Sequence, residues 1–253
     1  MKKIARLALA ILVESASLVA VSPFPAPPAQ AKPVRPAPAK SAARHTQAKP
    51  KGRLFAPQDL GLLEGPDRDQ WQKPEQIMDA LGIADGAVVA DLGAGGGWFT
   101  IRLARRVGPN GLVYAEDIQP EMIEAIGRRV QREGLANVRT ILGTANDPHL
   151  PRGIDAVLIV DAYHEMEEPA DPRAIVALLR NVERSLKPQG RLGIVDFSPG
   201  GGGPGPVPEE RVAPAAAIKA AAEAGLQLIA QEAVLPFQFL LVFDKGSSSS
   251  VSP

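Results

Sequence analysis

Between residues 87 and 197 the sequence switches repeatedly between two hydrophobic periods. Short apolar runs of strand length, at Ala87–Asp91, Leu112–Asp117, Asn137–Leu142, Ile154–Asp161 and Arg191–Phe197, are separated by segments whose apolar residues recur at helical spacing. Trp98–Val107 places Ile101, Ala104 and Val107 on one face, with Leu103 beside them. Pro120–Glu133 repeats Met122, Ile126 and Val130, and Pro120 suits a first helical turn. A later segment repeats Ile175, Leu178, Leu179, Val182 and Leu186 before Lys187-Pro188-Gln189-Gly190 ends it. Strands alternating with helices of this length read as right-handed βαβ units, which build a parallel sheet covered on both faces. The run AVLIV within residues 154–161 has no polar alternation, as expected of a strand buried on both sides.

The flanks complete the pattern. Trp71, Ile77, Met78 and Leu81 give residues 69–81 the look of an amphipathic first helix. After a glycine- and proline-rich stretch, a helix is expected at Glu209–Ala224, followed by apolar strands at Leu226–Leu235 and Phe237–Phe243 with Pro236 between them. That spacing allows only a hairpin, so the last strand should run antiparallel to its neighbour. The expected fold is α/β and doubly wound. It has a mostly parallel seven-stranded sheet, helices on both faces and an antiparallel C-terminal strand.

The ends of the chain have a different character. Lys2, Lys3 and Arg6 precede apolar stretches at Leu7–Val13 and Leu18–Val21, and Ala29-Gln30-Ala31 is a small-x-small cleavage site. Residues 1–31 therefore read as a signal peptide and predict export, to a periplasm or the outside. Glu14 interrupts the apolar stretch and argues against a membrane span. An uncleaved leader, with a cytoplasmic protein, is the alternative. Residues 32–53, rich in Pro, Ala, Lys and Arg, have the composition of an extended, disordered linker. The folded body is expected at 54–245, and 246–253 as a disordered tail. With no cysteine, disulfides, Cys-ligated zinc, iron–sulfur clusters and thiol catalysis are excluded. A formal net charge of zero demands no basic surface for nucleic acid.

The chemistry is concentrated in VVADLGAGGGWFT, residues 88–100, which reads as strand, glycine loop and helix. Glycines at 93, 95, 96 and 97 let the backbone turn sharply and let a ligand approach the main chain. The loop leaves the carboxyl end of the first central strand, where open α/β sheets bind ligands. A dinucleotide fingerprint counted from Gly93 requires a third glycine at 98, where Trp98 stands. The pattern is instead Asp-x-Gly-x-Gly-x-Gly, led by Asp91. A second acid, Asp117, ends the next strand in VYAEDIQPEM, 26 residues after Asp91. A carboxylate there can accept hydrogen bonds from both hydroxyls of a ribose.

Over residues 69–243 the chain resembles the class I S-adenosylmethionine (SAM)-dependent methyltransferases. The resemblance is carried by the glycine loop, by VYAEDIQPEM, which is similar to the family's VYAVDISPEM, and by LKPQGRL at 186–192, which is similar to LKPGGRL. It implies SAM as cofactor. Gly93, Gly95 and Gly97 would lie against its methionine portion, and Asp91 would orient its amino-acid end. Asp117 would take the ribose, with Ile118 beside it, and Glu116 would face the other side of the strand. The adenine contact after the third strand usually involves an acid directly after the glycine. Here Gly143 is followed by Thr144, so the contact falls to Thr144, to the backbone of Ala145 or to Asp147. DAYHEMEEP, residues 161–169, stands where the family lines its methyl-transfer site, which adds Asp161 to the cofactor residues.

His164 is the candidate general base if the acceptor must lose a proton, with Tyr163 as a further catalytic or pocket-wall candidate. The plainer alternative for each is a packing role. Glu165, Glu167, Glu168 and Asp171 read as a solvated acidic loop and not as a metal site, since one imidazole and no thiol accompany them. Arg105, Arg106, Arg128 and Arg129 read as the wet sides of surface helices. Gly200–Gly205 reads as a flexible linker or lid, with 199–208 placed to close over the site. The functional expectation is a SAM-dependent methyltransferase with a small-molecule acceptor and no nucleic-acid partner. The acceptor and the oligomeric state are left open. A non-catalytic SAM-binding domain is the alternative, and an NAD-dependent oxidoreductase, disfavoured by Trp98, is a more distant one.

Overall fold

The computed structural model of the protein describes residues 54–167 and 171–246. The expected signal peptide, the linker, Glu168 and the tail from 247 onward lie outside the described residues. Gly246 is within them, and its N–H donates to Gly225 O.

Seven strands form one sheet: β1 (Val88–Leu92), β2 (Leu112–Asp117), β3 (Val138–Leu142), β4 (Ile154–Val160), β5 (Leu186–Phe197), β6 (Leu226–Glu232) and β7 (Gln238–Lys245). Their order is β3-β2-β1-β4-β5-β7-β6. The first five are parallel, and β7 runs antiparallel to both β5 and β6. The strand order reverses between β2-β1 and β4, so the carboxyl ends of β1 and β4 flank the crevice where such sheets take ligands. The expected fold is therefore found, including the terminal hairpin.

Among the described residues seven α-helices accompany the sheet: α1 (Arg68–Gln72), α2 (Pro74–Ala80), α3 (Trp98–Val107), α4 (Pro120–Arg132), α5 (Tyr163–Met166), α6 (Pro172–Ser185) and α7 (Pro214–Glu223). Alternate residues of the central strands feed two cores. On one face Ala90, Leu92, Val157, Ile159, Leu192 and Ile194 pack with α6 and α7 through Leu178, Leu179, Val182 and Ala221. On the other, Val89, Ala156, Leu158 and Val195 pack with α2 and α3 through Ile77, Met78, Leu103 and Val107. Among the described residues no helix is long and apolar enough to cross a membrane.

Four local expectations are corrected. The single helix expected at 69–81 is two, α1 and α2, broken at Lys73, whose φ of 48° and ψ of 59° are left-handed. Pro74 disfavours the right-handed helical region for the residue before it, and Lys73 Nζ donates to Val234 O at 2.8 Å. The helix expected from Glu209 begins at Pro214, and Pro208–Glu210 forms a separate 3-10 turn. The Lys187–Gly190 turn is an excursion within β5: Ile154 pairs with Leu186 and Ala156 with Arg191. The 199–208 loop is folded against the body, with the Arg211 guanidinium donating to Ser198 O, Gly202 O and Pro206 O. A Cβ on Gly203 or Gly205 would lie 2.3 Å from Phe237 or 2.6 Å from Phe197, so these glycines let the loop rest on the rings.

Leu158 in β4 is wholly buried, whereas Leu62 is 79% exposed. Leu158→Ala should cost about 2–5 kcal/mol of unfolding free energy through lost burial and a residual cavity. Leu62→Ala should stay within about 0.5 kcal/mol. Urea midpoints for the two variants check both figures.

Candidate functional site

The turn from β1 to α3 is fixed by its own backbone donors. Gly93, Gly95 and Gly97 have φ of 66°, 54° and 79°, which a side chain would disfavour. At Gly93 space is lacking as well, because a Cβ would lie 2.7 Å from Ala162 and 2.9 Å from Met166. The Gly95 N–H donates to Asp117 Oδ2 at 3.0 Å, the Gly93 N–H to Glu116 Oε2 at 3.4 Å, and the Ala94 N–H to Glu116 O at 2.9 Å. The loop is thus tied to the last two residues of β2.

Three buried carboxyls surround it. Asp91, at 2% exposure, accepts from Thr100 Oγ1 at 2.6 Å. Its pKa is raised to about 6, chiefly by burial, against the Thr100 hydrogen bond and the Arg68 charge. Asp117 also accepts from Gln119 N at 2.9 Å, and burial raises its pKa despite these main-chain bonds. Glu116 departs from expectation. It does not simply turn to the far side of β2 but reaches the glycine loop, and its Oε1 is buried without a hydrogen-bond partner. Burial pushes its pKa up to about 8, with the charges of Asp117 and Asp91 adding to the shift against the Gly93 N–H bond.

Asp161, just past β4, has a φ of 57°. Such a conformation in a non-glycine residue costs on the order of 1–3 kcal/mol and must be held by its surroundings. Its carboxylate is held by Arg68 Nη2 at 2.7 Å, by Gln72 Nε2 at 3.4 Å and by Gln238 Nε2. Gln72 also donates to Gln238 Oε1 at 2.8 Å, and Arg68 Nε to Gln72 Oε1 at 2.9 Å. Arg68 is 6% exposed and lies 4.2 Å from the centroid of the Trp98 ring. Burial lowers the Arg68 pKa, while Asp161 opposes the shift.

Arg68, Gln72 and Gln238 are site residues that the sequence reading missed. Apart from the Arg68–Gln72 bond, their partners are 77 to 166 positions away, and no local pattern marks them. A cavity of about 50 Å³ remains between these elements, lined by Leu60, Glu64, Arg68, Asp91, the loop glycines and Asp161.

Residues 54–72 roof this cavity. The Phe55 N–H donates to Glu165 Oε2 at 2.8 Å, and Phe55 O accepts from Gln119 Nε2 at 3.0 Å. One residue therefore bridges the ends of β4 and β2. Leu60 packs at Gly95 and Gly96, and Glu64 pairs with Arg129. Two readings change as a result. Glu165 is an anchor for this segment and not part of a solvated acidic loop, and Arg129 is an internal partner and not a wet surface residue.

The other expected residues divide. His164 is mostly buried, and its Nδ1 lies 2.9 and 3.0 Å from the two carboxylate oxygens of Asp196 on β5. Tyr163 does not reach the cavity: its side chain is wholly buried in the α6–α7 core and its hydroxyl has no partner. Burial and the nearby Glu167 and Asp196 raise its pKa, so it is a poor proton donor. Packing explains this residue, and its catalytic candidacy falls. Thr144 and Ala145 are exposed in a tight turn in which Thr144 N donates to Asp147 O at 2.8 Å. They stand at the rim beyond Asp117, whose carbonyl accepts from Gly143 N at 3.1 Å. Ile118 is half-buried, directly after Asp117.

The glycine loop and acids fit a ligand with an amino-acid end and a ribose. The orphaned Glu116 oxygen, the carboxyls of Asp91 and Asp117 and the Arg68 guanidinium supply acceptors and a cation, and Gly93 admits no side chain. The cavity is much smaller than the roughly 300–1,000 Å³ clefts that hold small ligands.

Comparison with known proteins agrees with this geometry. Residues 89–190 match the family model for a methyltransferase domain. An uncharacterized methyltransferase of Mycobacterium tuberculosis is 39% identical over 131 residues, which is 51% of this chain and 47% of that protein. Nocamycin O-methyltransferase of Saccharothrix syringae is 31% identical over 133 residues, 53% of this chain and 42% of that protein. The chain thus spans about half the length of the curated relatives it matches. The crystal structure of a SAM-dependent methyltransferase from Aquifex aeolicus superposes with a TM-score of 0.70 and 28% identity, covering 76% of this chain and 100% of that one.

Glu116 gives a pH test of the site. Its folded pKa of about 8 exceeds its ordinary 4.5, so the folded chain holds a proton that the unfolded chain releases. The resulting stability is full below pH 4.5 and is lost as pH rises to about 8. Glu116→Gln lacks this loss. Its stability relative to the parent should rise with pH across that window and level off above it, as read from denaturation midpoints at successive pH values.

Proposed function

We propose, for a chain whose folded body is a class I SAM-dependent methyltransferase domain, that it binds SAM across the β1–α3 loop and transfers the methyl group to a small-molecule acceptor. The observation that carries this reading is the acid-flanked glycine loop at the switch in strand order, with Trp98 where a pyrophosphate-binding loop keeps glycine. When bound, SAM supplies a methyl group made electrophilic by the adjacent sulfonium. The site suits that cation: the carboxyls of Asp91 and Asp117 lie beside the loop, and the Gly93 and Gly95 N–H groups are already bonded to acceptors.

The protein's own residues bind, orient and exclude water. Asp91 and Arg68 offer opposite charges to the ammonium and carboxylate of the cofactor's amino-acid end. Asp117 offers acceptors to the ribose hydroxyls, and Thr144 or Ala145 stands beyond it for the base. Holding donor and acceptor together in a closed site lowers the barrier through proximity and orientation. Residues 54–72 shield the site from water. His164 accepts a proton where the acceptor has one to lose.

Calorimetric titration of the full chain with SAM, S-adenosylhomocysteine and NAD tests the cofactor. Micromolar binding of the first two, weakened at least tenfold by Asp117→Ala and absent for NAD, is expected. No SAM binding by the folded protein overturns the reading, and tighter binding of NAD points to an oxidoreductase. With an acceptor in hand, His164→Ala should lower kcat by roughly 10²–10⁴-fold with little change in SAM affinity. SAM binding without transfer to any acceptor would indicate a binding domain.

A further inference from the structure

β4 and β5 are adjacent parallel strands, and Val160 pairs with Val195 at their carboxyl ends. The chain leaves β4 through Asp161 into α5, which carries His164, while β5 presents Asp196 one residue further along. Asp196 is wholly buried and faces three nitrogens, two of them on His164, which place α5 and its histidine together. Its Oδ2 accepts the His164 main-chain N–H at 2.8 Å. Its Oδ1 accepts the Phe197 N–H at 2.7 Å. The His164 ring nitrogen Nδ1 lies 2.9 Å from Oδ1 and 3.0 Å from Oδ2. Both Asp196 oxygens already accept main-chain N–H groups and so face Nδ1 as acceptors, which places the hydrogen between the two side chains on Nδ1. The lone pair of the neutral ring is then on Nε2.

Three acids act on this ring. Asp196 comes from β5, Glu165 from α5 with Oε1 3.9 Å from Nε2, and Asp161 from the end of β4. Asp161 is itself paired with Arg68 and bonded to Gln72 and Gln238. Burial alone would pull the His164 pKa down. The Asp196 hydrogen bond and charge, with Glu165 and Asp161, outweigh it and hold the pKa above 6.5. Stabilising the imidazolium in this way makes the neutral ring a stronger base.

We propose that Asp196 is a positioning residue that fixes His164 in the Nδ1–H tautomer and aims Nε2 as general base at an acceptor hydroxyl. This rests on the methyltransferase reading. In the transfer step the acceptor O–H bond breaks, its proton goes to Nε2 and a new O–CH3 bond forms. The methyl–sulfur bond of the donor, a substrate consumed in the reaction, breaks with its electron pair left on the sulfur of S-adenosylhomocysteine. The acceptor class follows from what the base changes most. A neutral amine already presents its lone pair, and a thiol ionises at about pH 8.5 unaided. A phenol- or enol-type hydroxyl, with a pKa near 10 by analogy with tyrosine, needs a base as it attacks.

The chain has three histidines, His45, His149 and His164, so imidazole 15N and 1H resonances of the full-length protein can be followed one by one. His164→Ala identifies the signal. The neutral parent should show a protonated Nδ1 and a bare Nε2, with a titration midpoint above 6.5. Asp196→Asn should lower that midpoint by about one pH unit, a tenfold change in proton affinity, and mix the tautomers. Asp196→Glu should restore part of both, while His45 and His149 stay unmoved.

A bare Nδ1 in the parent, or an unchanged midpoint and tautomer in Asp196→Asn, overturns the positioning role. The parent spectrum decides the tautomer even if Asp196→Asn does not fold. These spectra need no SAM, so failure of the cofactor reading is seen separately, by calorimetry. With SAM and a panel of phenols, kcat should rise with pH through the same midpoint, and Asp196→Asn should lower kcat while leaving the KM for SAM within about twofold. A hydroxyl acceptor methylated equally fast by His164→Ala overturns the base assignment.

Discussion

Hydrogen bonds from a glycine loop to the end of the neighbouring strand organise this protein. Gly93 and Gly95 give their N–H groups to the carboxylates of Glu116 and Asp117, and Ala94 gives its own to the carbonyl between them. These bonds close the β1–α3 turn onto β2 and set where α3 begins. They thereby place Trp98 under the Arg68 guanidinium. They also decide the sign of the site. A phosphate-binding loop leaves its N–H groups open to an anion, whereas here those of Gly93, Ala94 and Gly95 are already spent on acceptors at the end of β2.

The elements whose determinants are local were legible in the sequence. β2 was expected at its observed bounds, and α4 and α6 announced themselves through residues such as Met122, Ile126, Leu178 and Val182, which recur at helical spacing and are buried. The glycine loop was legible because its glycines must take positive φ and one of them has no room for a Cβ. Errors fell where a single residue overrides a pattern. Pro74 splits an otherwise periodic helix at Lys73, and four-residue α5 is too short to show a period. A run of glycines looked slack at 199–208, yet those glycines are what let the backbone lie on Phe197 and Phe237.

The polar half of the site was mostly illegible for a different reason. Asp161 was marked by its place after β4, but the residues that hold it, Arg68, Gln72 and Gln238, come from the first helix and the last strand. His164 was a candidate, while Asp196, 32 positions later, carried no mark in the sequence. Such pairings exist only once β4, β5 and β7 are side by side. Buried carboxylates at these ends of the sheet are tolerable only because they are paired or hydrogen-bonded, so the polar network and the strand order depend on each other. Tyr163 shows the opposite case, a polar residue type drawn into a core by its neighbours.

The bridge at Phe55 has a consequence for how this chain can vary. It is made through the main-chain N–H and carbonyl, while the groups that grip it, Glu165 and Gln119, act through their side chains. Any residue except proline offers the same two main-chain groups. The clasp itself thus asks only for a main-chain N–H and carbonyl at residue 55, while it fixes the acid and the amide that grip them. In sequence, the clasp is marked by the two side chains that close it and not by the residue that they hold.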